Sequence, residues 1–97
     1  MITVVAKIPV KEGKMGEALA AFGELMDKVA SEEGTVMYSL NKDNANPNVL
    51  VVVEQCKDKE ALETHSSTVH FKTFFAAAAA FIGGKPEMSV MEQIRSI

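Results

Sequence analysis

The spacing of apolar residues changes in a fixed order along this 97-residue sequence. Ile2 to Val10 alternates apolar and polar positions, with Val5 as an exception, and this alternation is typical of a strand with one buried face. From Met15 to Val29 the apolar residues recur at every third or fourth position, which predicts an amphipathic helix. We expect Gly34 to end this helix, because glycine is common just past a helix end.

The next segment predicts a β-hairpin. Thr35 to Asn41 forms its first strand, and the alternation places Val36 and Tyr38 on one face and Met37 on the other. Residues 43–48 contain an Asn-Pro pair, which is typical of a turn.

The third predicted strand, Val49 to Val53, is apolar at all five positions and ends at Glu54. A sheet with helices on one side normally presents a polar opposite face to water. Val5 and Met37 add apolar residues to that opposite face, and no predicted element is left to cover it. We therefore expect a second copy of the sheet to cover it in a homodimer. The alternative is a central strand whose far face is only partly covered.

The last third of the sequence predicts two helices and a strand. Asp58 is placed to cap a short helix, and a longer helical run extends from about Val69 to Ile82. Gly83, Gly84 and Pro86 would end that run, before a last strand containing Met88, Val90 and Ile94. The order βαββαβ predicts an α+β, ferredoxin-like fold in one domain of residues 1–97, with an antiparallel sheet and helices on one face.

Charge and composition exclude several classes of function. The net charge is −3 and the ten basic residues are scattered, so we expect no nucleic-acid partner. No apolar run approaches the roughly 20 residues that cross a membrane, so we expect no membrane partner. The start of the sequence lacks the features of a signal peptide, and Cys56 is the single cysteine. Both observations favour the cytoplasm.

Two histidines, His65 and His70, lie five positions apart around a run of Ser66, Ser67 and Thr68. On one continuous helix they would point about 140° apart, which does not suit the usual i, i+4 metal pair. Ser67, a histidine and Asp58 offer the residue types of a catalytic triad, but helix caps explain the hydroxyl residues more simply. Acid–base chemistry remains open, as does a role for the histidines at helix ends, bonding to backbone.

The sequence resembles the antibiotic biosynthesis monooxygenase (ABM) domain family, and within it the small quinol-monooxygenase-like proteins. The resemblance extends over most of the sequence, including MITVVAKIPVKEGK and EEGTVMYSLNKD, and is most specific at VVVEQCKDKEALETHSSTVHFKTF. The positions that match the family pattern are Tyr38, Glu54, Asp58, Ala61, Leu62, His65, His70 and Phe71.

The resemblance implies a dimeric α+β barrel with a pocket between sheet and helices. It also implies oxygenation by O₂ of a small electron-rich phenol, quinol or enol, without flavin, haem or metal. His65 would be the base, and His70 and Tyr38 would orient the substrate or hold its oxygens. The expected substrate-binding residues are Glu54, Cys56, Phe71 and Phe74, with Glu54 also able to orient a histidine.

The sequence also departs from the family pattern. Cys56 stands where a tryptophan is usual, and Ala6 or a neighbour stands where the haem-degrading branch has an asparagine. Haem degradation is therefore not expected. Two other functions suit the same scaffold: an isomerase or degrading enzyme for a small signalling carbonyl of the autoinducer-2 type, and a non-catalytic domain that binds a small ligand.

Overall fold

The computed structural model describes residues 1–97 and contains four strands and three helices. All neighbouring strands are antiparallel, in the order β2-β3-β1-β4. This arrangement confirms the predicted ferredoxin-like fold. The elements are β1 (Ile2–Pro9), α1 (Met15–Val29), β2 (Thr35–Lys42), β3 (Val49–Cys56), α2 (Lys59–Ser66), α3 (Val69–Ala78) and β4 (Glu87–Glu92).

Strand alternation and helix periodicity create one apolar layer between the sheet and the helices. Every second residue of β1 and β3 is buried there, and α1 contributes the face that carries Phe22 and Leu25. The ring of Phe22 contacts that of Phe74 on α3, with centroids 4.5 Å apart. The layer fixes the two long helices against the middle of the sheet.

The opposite face of the sheet carries partly exposed apolar side chains at its centre. Val5 of β1 pairs directly with Val53 of β3, and Val51 lies two positions along the same strand. Met37 and Met91, on the two edge strands, are 36% and 42% exposed. Apolar residues therefore occupy both faces of β3, as the sequence predicts.

The prediction that Gly34 ends α1 is wrong. The helix ends at Val29, and Gly34 lies directly before β2 without a positive φ. A Cβ atom at Gly34 would lie 2.6 Å from the Cβ of Ala61, which is too close for any side chain. Glycine is therefore needed here because α2 packs closely against the start of β2.

A β-bulge changes the predicted faces of β2. Thr35 pairs with Cys56 and Met37 pairs with Gln55, so Val36 is the extra residue between them. Val36 is 56% exposed, whereas Tyr38 is partly buried under the helices. The predicted grouping of Val36 with Tyr38 is therefore wrong, because the bulge interrupts the alternation.

Three element boundaries also differ from the prediction. Strand β3 continues past Glu54 to Cys56, and β4 ends at Glu92, which leaves Ile94 outside the strand. Helix α3 ends at Ala78, four residues before the predicted Ile82. Ile82 instead forms a β-bridge with Val10, because the segment after α3 turns back to bond the end of β1. No helix here is long and apolar enough to span a bilayer.

Candidate functional site

A break between two helices brings the two histidines together. Helix α2 ends at Ser66 and α3 begins at Val69, after an N-cap in which the Thr68 hydroxyl accepts a hydrogen bond from the backbone N–H of Phe71. His65 lies in the last turn of α2 and His70 in the first turn of α3. The break changes the chain direction, so the rings need not diverge as they would on one helix.

Both histidines contact the carboxylate of Glu32, in the turn between α1 and β2. Glu32 Oε1 lies 2.7 Å from His65 Nδ1, and Oε2 lies 2.5 Å from His70 Nε2. The Thr35 hydroxyl donates a third hydrogen bond to Oε1, at 3.0 Å. A side chain that is 12% exposed thus receives three hydrogen bonds, which hold it in one position.

Glu54 faces the other side of the His65 ring. Its Oε2 lies 3.4 Å from His65 Nε2, and its side chain is 9% exposed. Glu32, Glu54, His65 and His70 therefore form one continuous set of contacts, which we call the Glu–His cluster. His65, at its centre, is 2% exposed, and both of its ring nitrogens face carboxylates.

The surroundings shift the pKa values of two members of the Glu–His cluster. Burial lowers the pKa of His65, but hydrogen bonds and negative charge from Glu54 and Glu32 raise it by more, so the net pKa lies above the usual value. Burial raises the pKa of Glu32, but the hydrogen bonds from both histidines and Thr35, with the charge of His65, lower it by more. These shifts favour an ion pair between His65 and Glu32.

An apolar cavity of about 40 Å³ lies beside the Glu–His cluster, between the sheet, α1 and α3. Tyr38 and Glu54 are its two polar lining residues. Phe75 and Met88 are 41% and 59% exposed, so they lie at its mouth. The other lining residues are Val4, Ala6, Ile8, Phe22, Leu25, Val52, Phe71 and Phe74.

Tyr38 can act in this cavity as a hydrogen-bond donor. Burial and the negative charges of Glu54 and Glu32 raise the pKa of Tyr38 far above its usual value, so the phenol keeps its proton. The Tyr38 ring lies beside that of His65, with centroids 6.0 Å apart. A neutral phenol and a carboxylate therefore share one apolar space.

The structure separates the predicted site residues into two groups. Tyr38, Glu54, Phe71 and Phe74 line the apolar cavity. His65 lies behind this wall, edge-on to Phe71 at 5.4 Å between centroids, and His70 lines a separate groove between α1 and α3.

Cys56 is fully buried and is not a lining residue of the cavity. Burial and the charge of Glu54 raise the pKa of its thiol, so the thiolate is disfavoured. This environment is that of a small packed side chain.

The residues of the alternative triad are occupied elsewhere. Asp58 accepts a hydrogen bond from the backbone N–H of Ala61 and caps α2. The Ser67 hydroxyl donates to the carbonyl of Glu63. Helix ends thus account for both side chains.

Glu32 is a member of the Glu–His cluster that the sequence did not point to. It lies within the EEGTVMYSLNKD segment that resembles the family, but 33 positions before His65. The available signal was indirect, since two histidines brought into an apolar interior need a polar partner.

Comparison with known proteins gives consistent results. A family model described as antibiotic biosynthesis monooxygenase matches residues 1–77. A Bacillus subtilis (strain 168) protein named "Putative monooxygenase YcnE" is 36% identical over 76 residues, which are 78% of this chain and 80% of that protein.

Solved structures share the fold over almost the whole chain. A Caulobacter crescentus CB15 protein, titled "putative antibiotic biosynthesis monooxygenase", has a TM-score of 0.93 at 30% identity, covering 97% of this chain and 90% of that one. A conserved protein from Methanosarcina mazei Go1 has a TM-score of 0.91 at 29% identity, covering 95% and 91%.

Proposed function

The chain belongs to the antibiotic biosynthesis monooxygenase family, and we propose that it is a cofactor-independent monooxygenase for a small electron-rich phenol, quinol or enol. The family supports a monooxygenase-type function in general. The substrate class and the absence of a cofactor are our proposal. The observation that carries it is the pairing of Tyr38 and Glu54 in a cavity that is otherwise apolar.

We propose that Glu54 receives the proton of a substrate hydroxyl. Glu54 lines the cavity, and its Oε2 lies 3.4 Å from His65 Nε2. The family resemblance implies His65 itself as the base. We propose that His65 acts through Glu54, because Glu54 is the member of the pair that lines the cavity.

The proposed reaction begins with transfer of the substrate proton to Glu54. The resulting anion passes one electron to O₂, which gives a substrate radical and superoxide, and their combination forms a C–O bond. The peroxide anion then takes up one proton. The carbon that bears the hydroperoxide then loses its hydrogen as the O–O bond breaks, so that water leaves and a carbonyl remains. One oxygen atom of O₂ thus enters the product and the other enters water. Tyr38 would donate a hydrogen bond to the substrate oxygen while it carries negative charge.

The apolar lining suits both reactants. O₂ and an aromatic ring enter apolar surroundings readily, and exclusion of water protects the radical pair. A cavity of about 150 Å³ accommodates a benzene ring, so the 40 Å³ seen here must widen. The exposed side chains of Phe75 and Met88, at the mouth, are the groups that would move.

We further propose that the open face of the sheet joins two copies in a dimer. Val5, Val51 and Val53 lie at its centre with no helix over them. A homodimer predicts a mass near twice the 10.5 kDa of one chain in sedimentation at micromolar concentration. Val53→Lys should reduce that mass to 10.5 kDa. Val69→Lys, at an exposed position of α3, should leave the dimer mass unchanged. A wild-type mass of 10.5 kDa would exclude the dimer.

Oxygen uptake with a panel of hydroquinones tests the reaction. The protein is freed of metal and flavin, and autoxidation is subtracted from every trace. We expect uptake that depends on protein, an oxygen atom from ¹⁸O₂ in the product, and a loss of about 100-fold or more in Glu54→Gln. The matched control is Glu33→Gln, which removes a charge from an exposed position outside the cavity.

Other outcomes identify the alternative functions. Turnover without O₂ would indicate an isomerase, and binding without turnover would indicate a binding domain. Full activity in Glu54→Gln would exclude Glu54 as the base.

A further inference from the structure

We infer that Glu32 joins His65 and His70 into one proton-sharing unit that connects the apolar cavity to the groove between α1 and α3. This inference rests on the proposed function for its role in turnover. Its physical basis is the geometry of the Glu–His cluster, which exists whatever the substrate is.

The contacts run without interruption from one side to the other. Glu54 lines the cavity and faces His65 Nε2, while His65 Nδ1 bonds Glu32 Oε1 at 2.7 Å. Glu32 Oε2 bonds His70 Nε2 at 2.5 Å. His70 is 18% exposed and lines the groove, so it can exchange protons with solvent.

The two inner members, His65 and Glu32, each have one polar atom on either side, which is what proton passage requires. Passage uses the neutral form of His65, which carries its proton on Nδ1 and leaves Nε2 free to accept. A proton on Glu54 then moves to His65 Nε2 as the Nδ1 proton moves to Glu32 Oε1. The proton between Glu32 Oε2 and His70 Nε2 then settles on His70, which releases one to water. Every step breaks one bond to hydrogen and forms another, so one proton leaves the cavity in total. The reverse order returns a proton for the peroxide.

The position of Glu32 fits proton passage better than it fits a role limited to neutralising the charge of His65. A carboxylate that only neutralised His65 would need one oxygen near one ring nitrogen. Here the two oxygens are divided between two histidines on different helices. Thr35 bonds Oε1 and thereby fixes the orientation of the carboxylate.

The ionisable groups around His65 come from four parts of the fold. They are Glu32 in the turn before β2, Tyr38 on β2, Glu54 on β3 and His70 on α3. Tyr38 keeps its proton, so the two carboxylates and His70 are the groups able to change the charge near His65. Any coupling between the two histidines must therefore pass through Glu32 or through space.

NMR titration of the two imidazole rings tests the coupling without any substrate. The sequence has two histidines, so ¹⁵N spectra contain two rings, and His70→Gln assigns them. We expect His70→Gln to raise the titration midpoint of His65 by about half a unit, since Glu32 is then no longer shared. In a Glu32→Gln background the same substitution should leave the His65 midpoint unchanged.

Glu33→Gln removes the neighbouring exposed charge and should preserve the coupling. An equal response of His65 to His70→Gln with and without Glu32 would overturn the inference. Because this experiment uses no substrate, its result stands even if no hydroquinone is oxidised.

Turnover supplies a second, separable readout. If the wild type oxidises a hydroquinone, Glu32→Gln should lower kcat about 100-fold with little change in KM, and should increase the solvent deuterium isotope effect. Glu32→Asp should restore part of the rate. Equal kcat in Glu32→Gln and Glu33→Gln would exclude proton passage through Glu32 during turnover.

Discussion

The interior of this protein has two parts that depend on different physics. One part is apolar, where Phe22 and Leu25 of α1 pack against Phe74 and Phe81. The other is the Glu–His cluster, where four ionisable side chains contact one another on the same side of the sheet as the apolar part. The first owes its stability to burial and close packing, and the second to charge and hydrogen bonds.

The comparison shows why the two parts respond to different changes. Apolar packing hardly depends on pH, whereas the cluster requires defined charges on its members. An apolar side chain can also pack against many different apolar neighbours, whereas each ring nitrogen of His65 faces one specific carboxylate. Substitutions in the two parts should therefore differ in the size of their effect and in its dependence on pH.

Phe22→Ala should cause the largest loss of stability. Phe22 is 1% exposed and contacts Phe74, so its removal leaves a cavity that costs about 3–5 kcal/mol. Urea denaturation at a fixed protein concentration measures the loss, which should be equal at acid and alkaline pH. Leu19→Ala on the same helix, at a position that is 44% exposed, should cost about 1 kcal/mol or less. A pH-dependent loss in Phe22→Ala would show that the two parts are not independent.

His65→Gln should cost about 3 kcal/mol, because it leaves buried carboxylates without their partner. The pKa of His65 is raised above 6.5, so its contribution is complete below pH 6.5 and disappears as pH rises through the raised value. The pKa of Glu32 is lowered below 4.5, so its contribution is complete above pH 4.5 and disappears as pH falls through the lowered value.

Both contributions are therefore complete between pH 4.5 and 6.5. Denaturation across the pH range should give the largest difference between wild type and His65→Gln in this window, and a smaller difference at alkaline pH. A difference that stays constant as pH rises would contradict the assignment of a raised pKa to His65.

Gly34→Ala should lower the free energy of unfolding by about 1–3 kcal/mol, and it acts on the polar part of the interior. The new Cβ would lie 2.6 Å from the Cβ of Ala61 and would push α2, which carries His65, away from β2. Gly23→Ala is the matched control, since nothing lies within 4 Å of its Cβ and the position is in the middle of α1. That substitution should stabilise by about 0.5–1 kcal/mol. Thermal or urea denaturation distinguishes the two signs.

Thr68→Ala should have the smallest effect. It should lower the free energy of unfolding by about 1 kcal/mol, because α3 loses its N-cap. The cap directly precedes the turn that carries His70, so NMR shifts should change most at the two histidines and little at the Phe22 ring. Ser67→Ala is the control, because its hydroxyl bonds an exposed backbone carbonyl. Equal shifts at Phe22 and at the histidines would indicate a change spread through both parts.

The order of elements was predictable because it depends on local periodicity. The alternation in β1 and the helical spacing in α1 each require only the residues of one segment. The caps at Asp58 and Thr68 were predictable for the same reason, and both are present. The family pattern added Tyr38, Glu54 and Phe71 as candidate site residues, and all three line the cavity.

Features that depend on another element were not predictable in this way. Gly34 has the chemistry of a helix terminator, yet its role is set by Ala61 on a distant helix. The bulge at Val36 depends on how β2 pairs with β3, and the early end of α3 depends on a bridge between Ile82 and Val10. Each of these outcomes is decided by a contact between segments.

The sequence by itself determined the ferredoxin-like order, the apolar faces of β1, β3 and α1, and the helix break between the two histidines. Only the tertiary structure decided that Glu32 lies between His65 and His70 and that Glu54, rather than His65, lines the cavity. The reason is physical: periodicity arises from neighbours along the chain, whereas a buried charge acquires its partners from whichever segments the fold brings within hydrogen-bonding distance.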